Sequence, residues 1–414
     1  MSIIADAHTI IDESIKAVLP DAAVRRALSV LDLPQSVVIV AIGKAAWRMA
    51  RTAADALGSR VRSGLVVTKY GHAEGPIPHL EIIEAGHPIP DANSVLGARK
   101  ALDLVSGLTA RDAVLFLVSG GGSALFEQPL PGVALEDTQT LTKRLLTSGA
   151  DITQINTIRK HLSAVKGGRF AKACEPAQVF AIILSDVLGD SLDSIASGPA
   201  VPDSSTSRDA LAILDHYRIP IPDNARRAIS IETPKTLGNT HTMITGNVEQ
   251  LCTAASIAAE RMGYTPLILT TTLDCEAREA GAAIAAIARE IHQHRRPAAP
   301  PCAVILGGET VVRVRGSGLG GRSQELSLAA SKGVDGLPGT VIFSVGSDGT
   351  DGPTDAAGGI VTGEFAQQCR DAGVSIDAYL GGNDAYHILQ RMGGLIMTGP
   401  TGTNVNDLTV LLIR

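Results

Sequence analysis

Three segments of this 414-residue chain set glycine directly before a cation: Ala-Ile-Gly-Lys-Ala-Ala at 41–46, Lys-Gly-Gly-Arg at 166–169, and Gly-Ser-Gly-Leu-Gly-Gly-Arg-Ser-Gln-Glu at 316–325. Each stands where a helix is expected to begin. A cation in a helix's first turn opposes the macrodipole at a cost of about 0.3–1 kcal/mol. The pattern makes best sense where free backbone N–H groups and the adjacent side chain bind an incoming phosphate or carboxylate together. The candidate contacts are Gly43 and Lys44, then Lys166 and Arg169, then Gly320, Gly321, Arg322 and Gln324. A single such cation is equally well read as a solvated side chain at a helix start. Three in one acidic protein favour anion binding, and Arg322 is the strongest, because the glycines crowded before it let backbone approach a ligand closely.

A fourth glycine loop, Val-Ser-Gly-Gly-Gly-Ser-Ala at 118–124, follows an apolar strand candidate. Ser119, Gly120, Gly121, Gly122 and Ser123 there offer two hydroxyls and unhindered N–H donors at a strand's carboxyl end, the edge where open α/β sheets bind ligands. The loop is not Gly-x-Ser-x-Gly, so it is not a nucleophile elbow. None of the four loops is a Walker A sequence, and Gly316, Gly318 and Gly321 match the dinucleotide fingerprint only weakly, late in the chain.

Two acidic loops also follow strands. Asp186, Asp190 and Asp193 lie in 184–193, and Asp348, Asp351 and Asp355 in 346–355. Mg²⁺ takes one or two carboxylates with waters and nucleotide phosphates, so either loop suits it. A carboxylate could equally orient an attacking hydroxyl. Spacing does not assign metal against base. Asp186 and Asp190 stand as the candidate metal ligands, Asp348 and Asp351 as candidate substrate or phosphate contacts. The plain alternative for each Asp is a helix cap or an Asx turn. His87, in Gly-His-Pro-Ile-Pro-Asp at 86–91, could touch substrate or serve only structure.

The elements that must position these residues read as an α/β fold. Hydrophobic residues make up 45% and aromatics only 3%, which suits Ala-, Val- and Ile-filled layers around parallel sheets. Strands are expected at 37–42, 64–68, 81–85, 113–118 and 179–185, with helices near 44–56, 94–106, 135–147 and 152–165. This half is Rossmann-like, with a parallel sheet. A passage rich in Pro, Ser and Asp at 199–237 places a domain boundary near 238, giving domains 1–238 and 239–414. The second set of strands is expected at 242–245, 266–271, 303–306, 310–314, 341–345, 395–397 and 409–413. A hairpin around Gly307 and Gly308 would make this second α/β domain's sheet mixed.

The net charge of −6 argues against a nucleic-acid partner. No apolar run approaches the about 20 residues that span a bilayer, so no membrane partner is expected. The five cysteines are scattered, never CxxC, which fits a reducing cytoplasm and gives no zinc pattern.

Taken in order, Ile-Gly-Lys-Ala-Ala, Gly-His-Pro-Ile-Pro-Asp, Val-Ser-Gly-Gly-Gly-Ser-Ala, Ser-Asp-Val-Leu-Gly-Asp with Ile-Ala-Ser-Gly-Pro, Gly-Gly-Glu-Thr, Gly-Gly-Arg-Ser-Gln-Glu and Gly-Thr-Asp-Gly-Pro-Thr-Asp resemble the class II glycerate kinases, the glycerate 2-kinases with a C-terminal MOFRL domain. The resemblance spans nearly the whole chain. It implies ATP-dependent phosphorylation of D-glycerate at the 2-hydroxyl with Mg²⁺, a Rossmann-like N-terminal domain, a second α/β domain, and an active site in the interdomain cleft. The family's catalytic lysine and arginine fall on Lys44 and Arg322. Ser323 departs mildly from the family, which often has Asn there. Oligomeric state stays open, with a homodimer among the options.

Two rivals are weighed. An NAD(P)-dependent hydroxypyruvate reductase, a label some relatives carry, would need Gly-x-Gly-x-x-Gly where the first βα turn reads Ala-Ile-Gly-Lys-Ala-Ala. A non-catalytic sugar-acid sensor would gain nothing from carboxylates beside its anion pocket.

Overall fold

Six short strands, of which the central apolar runs 37–42 and 113–118 are buried on both faces, pair into one sheet of the first unit. The strands are β1 (Val37–Ile42), β2 (Val61–Lys69), β3 (Leu80–Ala85), β4 (Ala113–Val118), β5 (Gln178–Leu184) and β6 (Thr240–Gly246), in the order β3-β2-β1-β4-β5-β6. The pairs β2/β3, β1/β2, β1/β4 and β4/β5 are parallel. Alternate residues feed opposite layers. Val38, Val40 and Ile42 pack with Val114, Phe116 and Val118 under one set of helices, while Ile39 and Ala41 pack with Leu115 and Leu117 under the other. That is why β1 and β4 show no polar face. The computed structural model describes every residue except Met1, Leu188 and Asp190.

The second unit carries β7 (Thr265–Leu273), β8 (Cys302–Gly308), β9 (Thr340–Gly346), β10 (Gly358–Thr362), β11 (Leu395–Ile396) and β12 (Asp407–Ile413), ordered β11-β10-β9-β12-β8-β7. β7 and β8 run parallel, whereas β12 is antiparallel to both β8 and β9, and β10 to β9. The sheet is mixed, but not through the expected hairpin. β8 continues straight through Gly307 and Gly308, and 310–314 holds only an isolated bridge at Val311. β10 was not anticipated because its Gly-Gly start reads as a turn. Those glycines are required in place, since a Cβ at Gly358 would stand 2.0 Å from the Ser344 carbonyl oxygen on β9.

The two compact units are Ala23–Thr245, and Met1–Ala22 together with Gly246–Arg414. Two sequence-based placements change accordingly. The strand expected at 242–245 closes the first sheet beside β5, and the first 22 residues leave the N-terminal unit for the C-terminal one. The physical reason lies in the Ile3–Ala17 helix. It buries Ala7, Ile10, Ile11 and Ile15, and its Asp6 carboxylate accepts from Tyr264 Oη at 2.6 Å and Arg414 Nη2 at 2.5 Å.

Asp6→Ala should therefore destabilise the chain by about 1–3 kcal/mol, the cost of stranding buried donors. Urea unfolding followed by circular dichroism checks this, and an unchanged midpoint would contradict it.

Candidate active site

In the sheet order found for the first unit, the connections diverge at neighbouring strands β1 and β4, and ligands bind beyond their carboxyl ends. Gly43 and Lys44 follow β1, and 119–123 follows β4. The two turns meet closely. A Cβ at Gly43 (φ 114°) would stand 2.3 Å from Ser119 Oγ. The Lys44 N–H donates to the Gly120 carbonyl at 2.9 Å, and Ser119 Oγ accepts from the Ala45 N–H at 3.0 Å. That hydroxyl caps the Ala46–Leu57 helix, which has no side-chain cap of its own. Lys44 thus lies just outside the helix, not in its first turn. The Lys44 carbonyl accepts from His72 Nδ1 at 3.0 Å, so the backbone beneath the ammonium is held from both sides.

The other candidates of this unit converge on the same turns. A Cβ at Gly121 would lie 3.1 Å from His87 Nε2 and 3.3 Å from Lys44 Cγ, and one at Gly120 would lie 2.2 Å from Asp186 Oδ2. Lys44, His87, Asp186 and the glycine loop are therefore neighbours. Burial, then the charges of Lys44, Lys69 and His72, hold the His87 imidazole down at about 4, so it is neutral at physiological pH. Ser123 Oγ lies 2.9 Å from Ser197 Oγ, which in turn donates to Asn156 Oδ1 at 3.3 Å. Ala196 and Ser197 both have positive φ, 50° and 59°, a strained turn of the kind that collects at ligand sites. Asp190 lies outside the described residues, and Asp193 is occupied with Ser191, Ser204 and Lys160.

Lys166 and Arg169 are not part of this group. Lys166 is fully buried, with Nζ bonded to the Phe126 carbonyl and paired with Glu127, while Arg169 Nη2 donates to the Ile231 carbonyl at 2.9 Å. The Lys166 charge is met by Glu127, and Arg169 binds the chain through Nη2 while its Nε is buried without a hydrogen-bond partner. Sequence shows the charge beside the glycines but not the carboxylate and carbonyls that claim it.

In the second unit, Arg322 opens the Arg322–Gly333 helix. The anions expected at that helix start are supplied by the protein. Asp351 Oδ1 accepts from the Ser323 N–H at 3.2 Å and Oδ2 from the Gln324 N–H at 2.8 Å. The Arg322 guanidinium forks onto Asp407, through Nε at 2.5 Å and Nη2 at 3.0 Å, and reaches Glu309 through Nη1 at 2.8 Å. Three of its five N–H donors are used, and the side chain stays one-third exposed.

Several readings of this unit are corrected by those contacts. Asp351 is a helix cap, and Gln324 is buried, donating to the Asp351 carbonyl and Thr354 Oγ1. Neither is placed to contact substrate. Gly321 gives Asp351 room, since a Cβ there would meet its Oδ1 at 2.2 Å, and Gly320 presents its carbonyl against Gly352. Asp348 remains half-buried, accepting from the Thr350 N–H at 2.9 Å. Asp407 and Glu309 went unpredicted as partners of Arg322. The available signal was an acid closing Asn-Val-Asn-Asp at the start of the last strand and another in Gly-Gly-Glu-Thr.

Residues 6–230 match the family model described as a domain of unknown function, DUF4147, and 302–407 match the MOFRL family. The D-glycerate 2-kinase of Thermotoga maritima is 55% identical over 98% of this chain and 97% of its own length. The chain belongs to the glycerate 2-kinase family. The crystal structure of the glycerate kinase from Thermotoga maritima superposes with a TM-score of 0.97 at 55% identity, covering 99% of both chains. More distant relatives carry another name: a putative hydroxypyruvate reductase of Agrobacterium vitis is 41% identical, covering 91% of this chain and 87% of that one. Among glycerate 2-kinases, Lys44 and Arg322 are thus read in a family whose named activity is phosphoryl transfer.

Gly120→Ala should cost activity more than stability, because its methyl would press on Asp186 Oδ2 and shift the loop. A misplacement near 1 Å is worth on the order of 100-fold in rate. Gly381→Ala, where nothing lies within 4 Å, should leave activity intact, and equal rates for the two variants would contradict the close approach.

Burial first, then repulsion from neighbouring acids, raises Asp351 to about 7 and Asp407 to about 6. Protonating Asp407 releases Arg322, so kcat/KM should fall as pH drops from 7 towards 5, with His87 still neutral. The sign for stability is opposite. Carboxyls whose folded pKa is raised bind protons that the unfolded chain has released between about pH 4 and 7, so they favour the fold as pH falls through that window. A pH–rate profile beside melting temperatures at each pH distinguishes lost geometry from unfolding.

Proposed function

We propose that this chain transfers the terminal phosphoryl group of ATP to the 2-hydroxyl of D-glycerate, giving 2-phosphoglycerate and ADP. The observation that carries the reading is Lys44, fixed through its own backbone at the meeting of the β1 and β4 turns, beside a glycine loop with accessible N–H donors. Phosphoryl transfer passes through a loose transition state, so catalysis comes from positioned positive charge and donors more than from covalent chemistry. Lys44 supplies charge from the first unit. Arg322, oriented by Asp407 and Glu309, is the second cation that the family resemblance assigns to the reaction. Neutral His87 can accept a hydrogen bond from the acceptor hydroxyl and orient it.

Magnesium suits this chemistry and needs little from the protein. Among the described residues no three potential ligands cluster, yet Mg²⁺ binds through one or two carboxylates plus substrate phosphates. Asp186, against Gly120, is the residue that would hold it, and the ion when bound would neutralise phosphate charge. A reductase reading has no support at β1, whose turn offers Lys44 where a dinucleotide fold places glycine.

Lys44→Ala and Arg322→Ala should each lower kcat by about 100-fold or more, the scale for removing a group that stabilises developing charge, with an unchanged melting temperature for Lys44→Ala and a lowered one for Arg322→Ala, which strands the buried Asp407. Phosphorus NMR of the product from ATP and D-glycerate identifies donor, acceptor and position together. Near-normal turnover in both variants, or NADH oxidation with hydroxypyruvate in place of 2-phosphoglycerate, would overturn the proposal.

A further inference from the structure

Beside the glycine loop, wholly within the first unit, lies a cavity of about 640 Å³. Its walls come from the loop after β3, from Ser123 to Glu127, and from the Leu135–Thr147 and Ile152–Leu162 helices. The lining is mainly apolar, with Ile89, Leu141 and Leu146 prominent, and two of these large side chains are left open to solvent, Ile89 at 65% and Leu146 at 60%. A three-carbon acid would fill only a corner of such a space and gains nothing from leucine walls. A pocket of several hundred Å³, apolar with a few placed polar groups, suits a larger ligand that is part aromatic.

Two charged groups of this cavity keep bonding capacity, whereas Ser123, Thr138 and Gln139 are bonded within the protein. Arg159 makes no side-chain hydrogen bond or ion pair among the described residues, although it is half-buried and burial lowers its pKa. Glu127 gives Oε2 to Lys166, but its Oε1 is buried with no partner. A guanidinium that only donates and a carboxylate oxygen that only accepts call for a ligand carrying both an anionic oxygen and a hydroxyl.

We propose that this cavity is the nucleoside pocket of the phosphoryl donor, with the base against Ile89, Leu141 and Leu146, a ribose hydroxyl donating to Glu127 Oε1, and Arg159 on a phosphate oxygen. The inference rests on the kinase reading above and deepens it. Its second support is continuity. Ser123 and Pro88 line the cavity and directly follow Gly122 and His87, whose loops lie against Lys44. A phosphate chain leaving the pocket along the glycine loop therefore runs toward the lysine. Nothing covalent is asked of Arg159 or Glu127.

The test is calorimetric titration of the full-length protein with ADP and, separately, with adenosine, alongside steady-state KM values for ATP and D-glycerate. Leu146→Glu alters an exposed side chain and should keep the fold. It should weaken both ADP and adenosine about tenfold or more. Arg159→Ala should weaken ADP by about tenfold, the loss of one charge-assisted contact, but adenosine less than twofold, and Arg159→Lys should recover part of the loss. The KM for D-glycerate should move less than twofold in all three. Unchanged ADP binding in both Leu146→Glu and Arg159→Ala overturns the proposal, as does a rise in the D-glycerate KM with ADP binding intact, which would give the cavity to the acceptor. Wild-type protein that binds ADP in this pattern yet forms no 2-phosphoglycerate would sink the kinase reading while the nucleoside pocket stands.

Discussion

The first unit depends on how closely the turns after β1 and β4 can approach. Ser119 Oγ and its carbonyl occupy the volume where any side chain at residue 43 would begin, and the backbone there has a positive φ that glycine adopts without strain. Because that space is empty, the Lys44 N–H reaches the Gly120 carbonyl, Ser119 caps the helix, and the lysine side chain leaves the sheet at a fixed place. The same device recurs around it, with Asp186 against Gly120 and Ala196 against Gly122. The site is built by subtraction of side chains, which brings main-chain donors and three elements within contact range.

The second unit solves a different problem, that of keeping a guanidinium oriented at the start of a helix whose dipole repels it. Asp351 meets the helix N–H groups and Asp407 forks onto the arginine. Such a network is stable only when every member is satisfied, and burial makes both carboxyls reluctant to ionise. The arrangement gives Arg322 direction and ties that direction to the protonation of its neighbours.

Cations beside glycine were a fair guide to position and a poor one to role. Lys166 and Arg169 satisfied the same local pattern as Lys44, yet Lys166 pairs with Glu127 and the Phe126 carbonyl, and Arg169 Nη2 is tied to the Ile231 carbonyl. Conversely Arg159, in the last turn of an ordinary amphipathic helix, carried no local mark and makes no side-chain hydrogen bond or ion pair among the described residues, although it stands beside a cavity. Local sequence reports which groups are present. Whether a charge is already compensated depends on residues tens of positions away.

By itself the sequence determined the strands β1 and β4 to the residue, the parallel first sheet, and the glycine turns that hold Lys44 and Ser119. These follow from unbroken apolar runs and from glycine at strand ends, which are properties of neighbours in the chain. The second sheet is mixed through β10 and β12, not through the hairpin that the sequence suggested. Only the tertiary structure decided that β6 closes the first sheet, that the Ile3–Ala17 helix serves the second unit through Asp6, that β10 is a strand despite its glycines, and that Asp407 and Glu309 orient Arg322. Each of those is a pairing across long sequence separation, set by which buried donor finds its acceptor, and no local pattern encodes it.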